Sequence, residues 1–150
     1  VIGAKHMEKL SAHYASHGAS DRQPIVGIAP DVFPDPFRTL ENWRMWHKRG
    51  YGPVAPVIQF TKIGEVDVSV ATEQVRVYRE RNPAFWCVSN PGLRGEAAKA
   101  RGIEKVFSAV KRSGAAWVHC LGAGWDDEDR EAWGRMAGLD SFDSIAWYKP

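Results

Sequence analysis

Hydrophobic positions along the chain fall into two kinds of segment. Short and almost continuous apolar runs alternate with longer stretches in which apolar residues recur every three or four positions. Such runs are typical of buried strands, and the periodic stretches are typical of amphipathic helices. The five runs start about 30 residues apart, the last about 25, and cover 24–29, 53–59, 84–88, 115–121 and 141–146. This spacing is that of βα units, so we predict a parallel sheet covered on both faces.

The stretches between the runs carry helix signals. Asp35-Pro36 predicts an N-cap followed by Pro at the first helical position, opening a helix that runs to Arg49. A last helix is predicted to begin at Asp126 or Asp127 and to end at Gly138. Three further helices follow from apolar residues on one face: Met7, Leu10 and Tyr14, ending near Gly18; Ala71, Val75 and Tyr78, ending before Asn82-Pro83; and Ile103, Val106, Phe107 and Val110.

These elements predict one α/β domain that spans residues 1–150, with five strands and about five helices. Two architectures fit the pattern. One is a small open sheet of the flavodoxin-like kind. The other is a partial or reduced (β/α)8 barrel, because a full barrel needs ~250 residues for eight units and this chain supplies about five. The residue pattern leaves both open.

Composition narrows the class of protein. With 44% hydrophobic and 25% charged residues, the chain is expected to form a soluble globular domain rather than a disordered one. No apolar run approaches the ~20 residues of a membrane span, and the first residues lack a signal-peptide pattern. Cys87 and Cys120 lie inside apolar runs without metal-ligand spacing, so we expect a reducing, cytoplasmic location. A net charge of +2 does not by itself indicate nucleic-acid binding.

Polar residues follow the predicted strands, at the end where ligands bind in both architectures. Asp143 stands out among them, because it lies in an apolar run with no helix signal directly after it. A carboxylate buried there is costly unless it is paired or used. Either Asp31 or Asp143 alone could instead cap a following helix. The candidate residues in strand order are Asp31, Gln59, Ser89 and Asn90, Leu121 and Gly122, and Asp143.

Histidines provide weaker candidates. His13 and His17 have helical spacing, but without further ligands nearby we interpret them as a solvated helix face rather than a zinc site. His119, inside the fourth run, is predicted to be a core histidine. No metal or other cofactor is expected.

Read together, the strand ends resemble the tRNA-guanine transglycosylase superfamily, most closely its DNA-modifying deazaguanine branch. The resemblance covers residues 24 to 147 in chain order. Segment 28–34 resembles the family strand that ends in a base-contacting Asp, and 56–59 the strand that ends in a base-binding Gln. Segment 118–124 resembles the family's Leu-Met-Gly-Val-Gly segment, and segment 138–144 resembles the element that bears the nucleophilic Asp. Segment 88–90 stands where the family has a Gly-Gly-Leu turn.

The resemblance implies a barrel and a base-exchange reaction. Asp143 would attack the anomeric carbon of a guanosine, and a 7-deazaguanine would then displace the carboxylate. Asp31, the second catalytic residue beside Asp143, would recognise the purine edge together with Gln59 and Asn90. Ser89, Leu121 and Gly122 would also bind the substrate, the last two as one wall of the slot. The implied partners are a purine or 7-deazapurine base and nucleic acid, with DNA favoured over tRNA.

The chain also departs from the family. The family zinc motif and its early catalytic strand are absent from these 150 residues, and only five of eight strands are predicted. Open sheet edges would need cover, so a homodimer or a partner chain is expected. Two other functions remain: a non-catalytic binding module or one subunit of a split transglycosylase, and a glycoside hydrolase that uses Asp31 and Asp143.

Overall fold

In the computed structural model, which describes residues 4–18 and 27–143, short parallel strands alternate with helices. The four strands form one sheet in chain order: β1 (Val57–Ile58), β2 (Phe85–Ser89), β3 (Trp117–Leu121) and β4 (Ser141–Phe142). Ile28 joins the same layer through a parallel bridge to Ala55. Within the described ranges the sheet is open and does not close into a barrel.

The strand order separates the two predicted architectures. A flavodoxin-like sheet places its first strand between the second and the third. Here the second apolar run lies between the first and the third, because Ala55 is bridged to Ile28 while Val57 is paired with Cys87. Every strand thus lies beside its neighbours in sequence, as in one part of a (β/α)8 barrel.

Six helices connect and flank the strands in the described part: α1 (Ala4–Gly18), α2 (Pro36–Lys48), α3 (Val68–Tyr78), α4 (Gly95–Ala100), α5 (Ile103–Arg112) and α6 (Asp127–Gly134). The N-cap prediction for α2 is confirmed, since Asp35 accepts hydrogen bonds from the backbone N–H groups of Phe37 and Arg38. Asp126 caps α6. The predicted end of α6 was wrong, because the helix stops at Gly134, four residues before Gly138.

The helices pack on one face of the sheet and form the main core with it. The four apolar residues predicted as the stripe of α5, from Ile103 to Val110, are all buried there. Trp86 and Val88 of β2 and Val118 and Cys120 of β3 point into the same layer.

The opposite face, here called the open face, matches the prediction of a sheet covered on both sides over β1 and β2, where Val57 and Cys87 are fully buried, but not over β3. It carries a smaller cluster around Val57 and Cys87, with Leu121 packed against it. Trp117 on this face is 43% exposed. Its ring stacks at 6.5 Å on that of Phe85, which is half-buried. Continuous apolar runs predict two apolar faces, but they do not predict how completely each face is covered along the sheet.

Two predicted runs are only partly described. Of the first, 24–29, the described residues start at Gly27, and Ile28 forms the bridge. Of the fifth, 141–146, β4 occupies the first two residues, and the positions after Asp143 lie outside the described residues.

Candidate functional site

Residues from neighbouring strands form one row on the open face at the carboxyl end of the sheet. The register pairs Cys87 with His119 and Ser89 with Leu121. Continued by one residue on either side, it sets Gln59 beside Ser89 and Asp143 beside Leu121. Alternation along each strand turns these side chains toward the same face. Four of the residues singled out from the sequence therefore share a row.

Asp31 extends this row beyond β1. The Nε2 atom of Gln59 donates a hydrogen bond of 2.6 Å to Oδ2 of Asp31. Although the Asp31 residue as a whole is exposed, desolvation of its carboxyl raises the pKa, against the opposing effect of the Gln59 hydrogen bond. The sequence did not predict this pairing, because the two residues lie far apart in the chain.

Gln59 is fully buried and holds an unused acceptor. Its backbone is fixed by Gln74 of α3, whose side chain accepts from the Gln59 N–H at 2.9 Å and donates to the Gln59 carbonyl at 2.7 Å. The side-chain Oε1 of Gln59 has no hydrogen-bond partner within the described residues. A buried acceptor without a partner is uncommon and calls for a donor such as a ligand N–H or a water.

Asp143 closes the other end of the row. Its Oδ1 accepts a hydrogen bond of 2.9 Å from the backbone N–H of Gly122, and Nε2 of His119 lies 3.8 Å from the same oxygen. The second carboxylate oxygen makes no hydrogen bond to the described residues. The expected burial of Asp143 was wrong, since its side chain is 58% exposed. The apolar neighbours in sequence point to the other face or lie outside the described residues.

His119 belongs to this end of the row rather than to the main core. Its Nδ1 lies 2.7 Å from Oγ of Ser141, which also accepts a hydrogen bond of 2.8 Å from the Trp117 indole N–H. The Ser141 hydroxyl can donate to Nδ1 of His119 or accept a second hydrogen bond from it, because its oxygen has two lone pairs. In either case Nε2 of His119 faces Asp143. No sequence signal other than the position of His119 in the strand could have identified this contact.

The charges of Asp31 and Asp143 both affect Cys87, which lies in the middle of the open face. Burial, followed by the charges of Asp143 and Asp31, raises the pKa of the Cys87 thiol to about 12. Cys87 lies two residues before Ser89 on β2 and on the same face, so it is next to the centre of the row on the amino-terminal side. It is a free and buried thiol, and at neutral pH it stays protonated.

The remaining predicted residues have different surroundings. Ser89 is buried in the row, and Leu121 is half-buried beside it. Asn90 points away from the row: its side-chain nitrogen donates to the carbonyls of Leu93 and Gly122, and its oxygen accepts from the Leu93 N–H. Its donors are thereby occupied, and Asn90 ties together the two loops that follow β2 and β3.

Asp129 is a structural residue that the sequence did not reveal. It is 2% exposed, and its carboxylate accepts hydrogen bonds from the backbone N–H groups of Gly95 at 2.6 Å and Trp125 at 2.9 Å. These bonds fix the loop after β3 against the start of α4. The position of Gly122, which contacts Asp143, therefore depends on a carboxylate in α6.

The described ranges lack two other kinds of feature. Residues 4–18 and 27–143 contain no group of three or more His, Cys, Asp or Glu side chains arranged to hold a metal ion. The same residues include no helix with the length and hydropathy required to cross a membrane.

Comparison of the chain with protein-family models, curated proteins and solved structures finds no match. The chemistry of the site therefore has to be inferred from its own residues.

Proposed function

We propose that the chain is a base-exchange glycosyltransferase that replaces guanine in nucleic acid with a 7-deazaguanine, with DNA as the favoured polymer. The observation that carries the proposal is the single row on the open face, with Asp143 at one end and the pair formed by Asp31 and Gln59 at the other. A nucleophile and a base-recognition pair are the two parts that such a reaction requires.

The recognition end suits the hydrogen-bond donors of a guanine. Oε1 of Gln59 is buried without a partner, and Asp31 is an additional acceptor beside it. The guanine edge offers N–H groups to such acceptors. A 7-deazaguanine differs at position 7 and keeps the same N–H groups, so the same two residues would bind the outgoing and the incoming base.

The nucleophile end suits attack by a carboxylate. The Gly122 N–H and the His119 imidazole occupy Oδ1 of Asp143 and leave Oδ2 free to attack the anomeric carbon. As the new C–O bond forms, the glycosidic C–N bond breaks, and guanine leaves with the electron pair and takes up a proton. The incoming base, losing its proton, then attacks the same carbon and releases the Asp143 carboxylate. No net oxidation or reduction occurs.

The partners of the two carboxylates favour this reaction over glycoside hydrolysis. Asp31 accepts the Gln59 amide and lies beside an acceptor suited to a base, whereas Asp143 is held by the Gly122 N–H. A glycoside hydrolase uses both carboxylates on one glycosidic bond, one as acid and the other as nucleophile or base.

The direct test is incorporation of labelled guanine or labelled 7-cyano-7-deazaguanine into duplex DNA and into bulk tRNA. The parent chain is expected to incorporate label, preferentially into DNA, and Asp143→Asn is expected to abolish incorporation. Asp127→Asn is the matched control, because Asp127 is fully exposed on α6. Denaturing electrophoresis of the parent chain with substrate should in addition show the covalent adduct, which Asp143→Asn should not form.

Two outcomes would contradict the proposal. Incorporation that persists in Asp143→Asn would show that Asp143 is not the nucleophile. No incorporation into either polymer would favour the alternative of a non-catalytic binding module or one subunit of a split transglycosylase.

We also propose that a second copy of the chain, or a partner chain, covers the edge strands of the open sheet. Unpaired edge strands expose N–H and C=O groups that proteins normally cover. Sedimentation equilibrium over a range of concentrations is expected to give a mass above the 16.8 kDa of one chain. A mass that stays at this value at all concentrations would argue against a homodimer.

A further inference from the structure

Two cavities meet at the amino ends of the strands, opposite to the row that ends in Asp143. The first, here called the apolar cavity, has a volume of about 350 Å³. Its walls come from residues that precede or begin the strands, including Val54, Ala84 and Phe85, and from Trp43 of α2. Small-molecule sites are typically apolar clefts of ~300–1,000 Å³, so the apolar cavity has room for one ring system.

The second cavity, here called the cationic cleft, has a volume of about 380 Å³ and lies between the ends of α2 and α3. Four basic side chains and one acidic side chain line it: Arg44, Lys48, Arg76, Arg81 and Glu80. Arg76 is paired with Glu73 at 3.1 Å. The other three basic residues form no ion pair with described residues, so the cleft holds uncompensated positive charge.

The two cavities share Trp43, His47 and Arg81. At this junction Nε2 of His47 is buried and has no hydrogen-bond partner among the described residues. Burial, and then the charge of Arg81, lowers the pKa of His47, so the imidazole is neutral at pH 7. The His47 ring is held edge-on against Trp43, with centroids 4.2 Å apart. A fixed, neutral imidazole with an unsatisfied nitrogen therefore stands between an apolar and a cationic compartment.

Basic residues near the ends of helices also compensate helix dipoles. That effect accounts for Lys48 in the last turn of α2 and Arg76 in the last turn of α3. It does not account for an apolar cavity that opens beside them, or for the unpartnered nitrogen of His47 at the junction.

We propose that these two cavities form one binding site for a nucleoside monophosphate, with the base in the apolar cavity and the phosphate in the cationic cleft. The excess of three unpaired cations over one carboxylate suits a phosphate dianion better than a monocarboxylate. Nε2 of His47 lies at the junction, where a ribose hydroxyl or a ring nitrogen would satisfy it. This site does not depend on the proposed base exchange, because it shares none of the row residues.

The test is isothermal titration of the full chain with adenosine 5′-monophosphate, with adenosine and inorganic phosphate as reference ligands. We expect saturable 1:1 binding of the nucleotide that is at least about tenfold tighter than binding of either fragment. Arg81→Ala and Arg44→Ala should each raise its Kd about tenfold or more, through loss of a charge-assisted hydrogen bond. Arg101→Ala removes the same charge from a position outside both cavities and should leave the Kd unchanged.

Asp143→Asn separates this site from the proposed active site, and it should bind the nucleotide like the parent chain. The proposal would be overturned if the chain bound nucleotide and inorganic phosphate equally tightly and Arg101→Ala weakened both as much as Arg81→Ala. That result would mean that the ligands bind a general basic surface. Absence of binding at millimolar nucleotide would overturn it as well. Circular dichroism of each variant confirms that the fold is retained.

Discussion

The amide nitrogen of Gln59 donates to Oδ2 of Asp31 at 2.6 Å, while the amide oxygen of the same side chain is buried without a partner. This orientation leaves Oε1 of Gln59 and the Asp31 carboxylate as neighbouring acceptors, because one amide N–H of Gln59 is directed at Asp31. The pair is therefore suited to ligand N–H groups. Gln74 holds the Gln59 backbone from the helix side, so the pair is fixed before a ligand arrives.

Asp31→Asn is expected to raise the melting temperature at neutral pH. The pKa of Asp31 is raised in the folded chain, so its charge costs stability once the pH rises through that value. Asn keeps an acceptor for Gln59 and carries no charge. The gain should vanish below the ordinary Asp pKa of 3.8, where parent and variant are both neutral.

Thermal unfolding from pH 3 to pH 8 checks this prediction, with Asp127→Asn as the exposed control. A variant that melts below the parent at neutral pH would contradict it. In the exchange assay the same substitution should weaken base binding, because the amide presents a donor where the ligand also presents one.

His119 is expected to position Asp143 rather than to stabilise the fold. His119→Leu removes the Nε2 contact, and we expect kcat for exchange to fall about 100-fold with little change in KM, as a misplaced reacting group does. His119→Gln places an amide nitrogen near the position of Nε2 and should recover much of the loss. Steady-state kinetics of both variants test the idea, and equal defects in Leu and Gln variants would speak against it.

Gly122 and Gly124 differ in what an added Cβ would meet. Both have left-handed backbones, with φ of 72° and 78°. Around Gly122 no heavy atom lies within 4 Å of the added carbon, whereas at Gly124 it would lie 2.7 Å from the Phe142 ring and 2.9 Å from Arg130. Gly122→Ala should cost about 1–2 kcal/mol of unfolding free energy through backbone strain alone. Gly124→Ala should cost ~1–3 kcal/mol more through overpacking.

Urea denaturation measures the two costs in one experiment. Equal losses of unfolding free energy in both variants would refute the difference, because they would mean that Phe142 and Arg130 move aside freely.

Asp129→Asn is expected to destabilise the chain by about 1–3 kcal/mol. The amide group would turn a donor toward one of two backbone N–H groups and leave it unsatisfied. Amide hydrogen exchange at Gly95 and Trp125 should accelerate, because these two groups donate to Asp129. Unchanged exchange at both amides would show that other contacts hold the loop, and Asp127→Asn again serves as the control.

Local features of the fold could be predicted because they depend on neighbours in sequence. The Asp35-Pro36 cap and the apolar stripe of α5 follow from backbone hydrogen bonding and helical periodicity, and both are confirmed. The end of α6 was missed because Gly138, which has the left-handed backbone typical of a helix stop (φ 82°), lies four residues beyond the last helical residue, Gly134.

The sequence by itself determined the alternation of strands and helices, and with it which polar residues follow each strand. Asp31, Gln59, Ser89 and Asp143 could be named for that reason. Only the tertiary structure decided that the strands lie in chain order, that Gln59 meets Asp31, that His119 faces Asp143 and that Asn90 turns away. These relationships depend on register and on which face each side chain takes. Contacts between residues distant in the chain set both, and no local pattern encodes them.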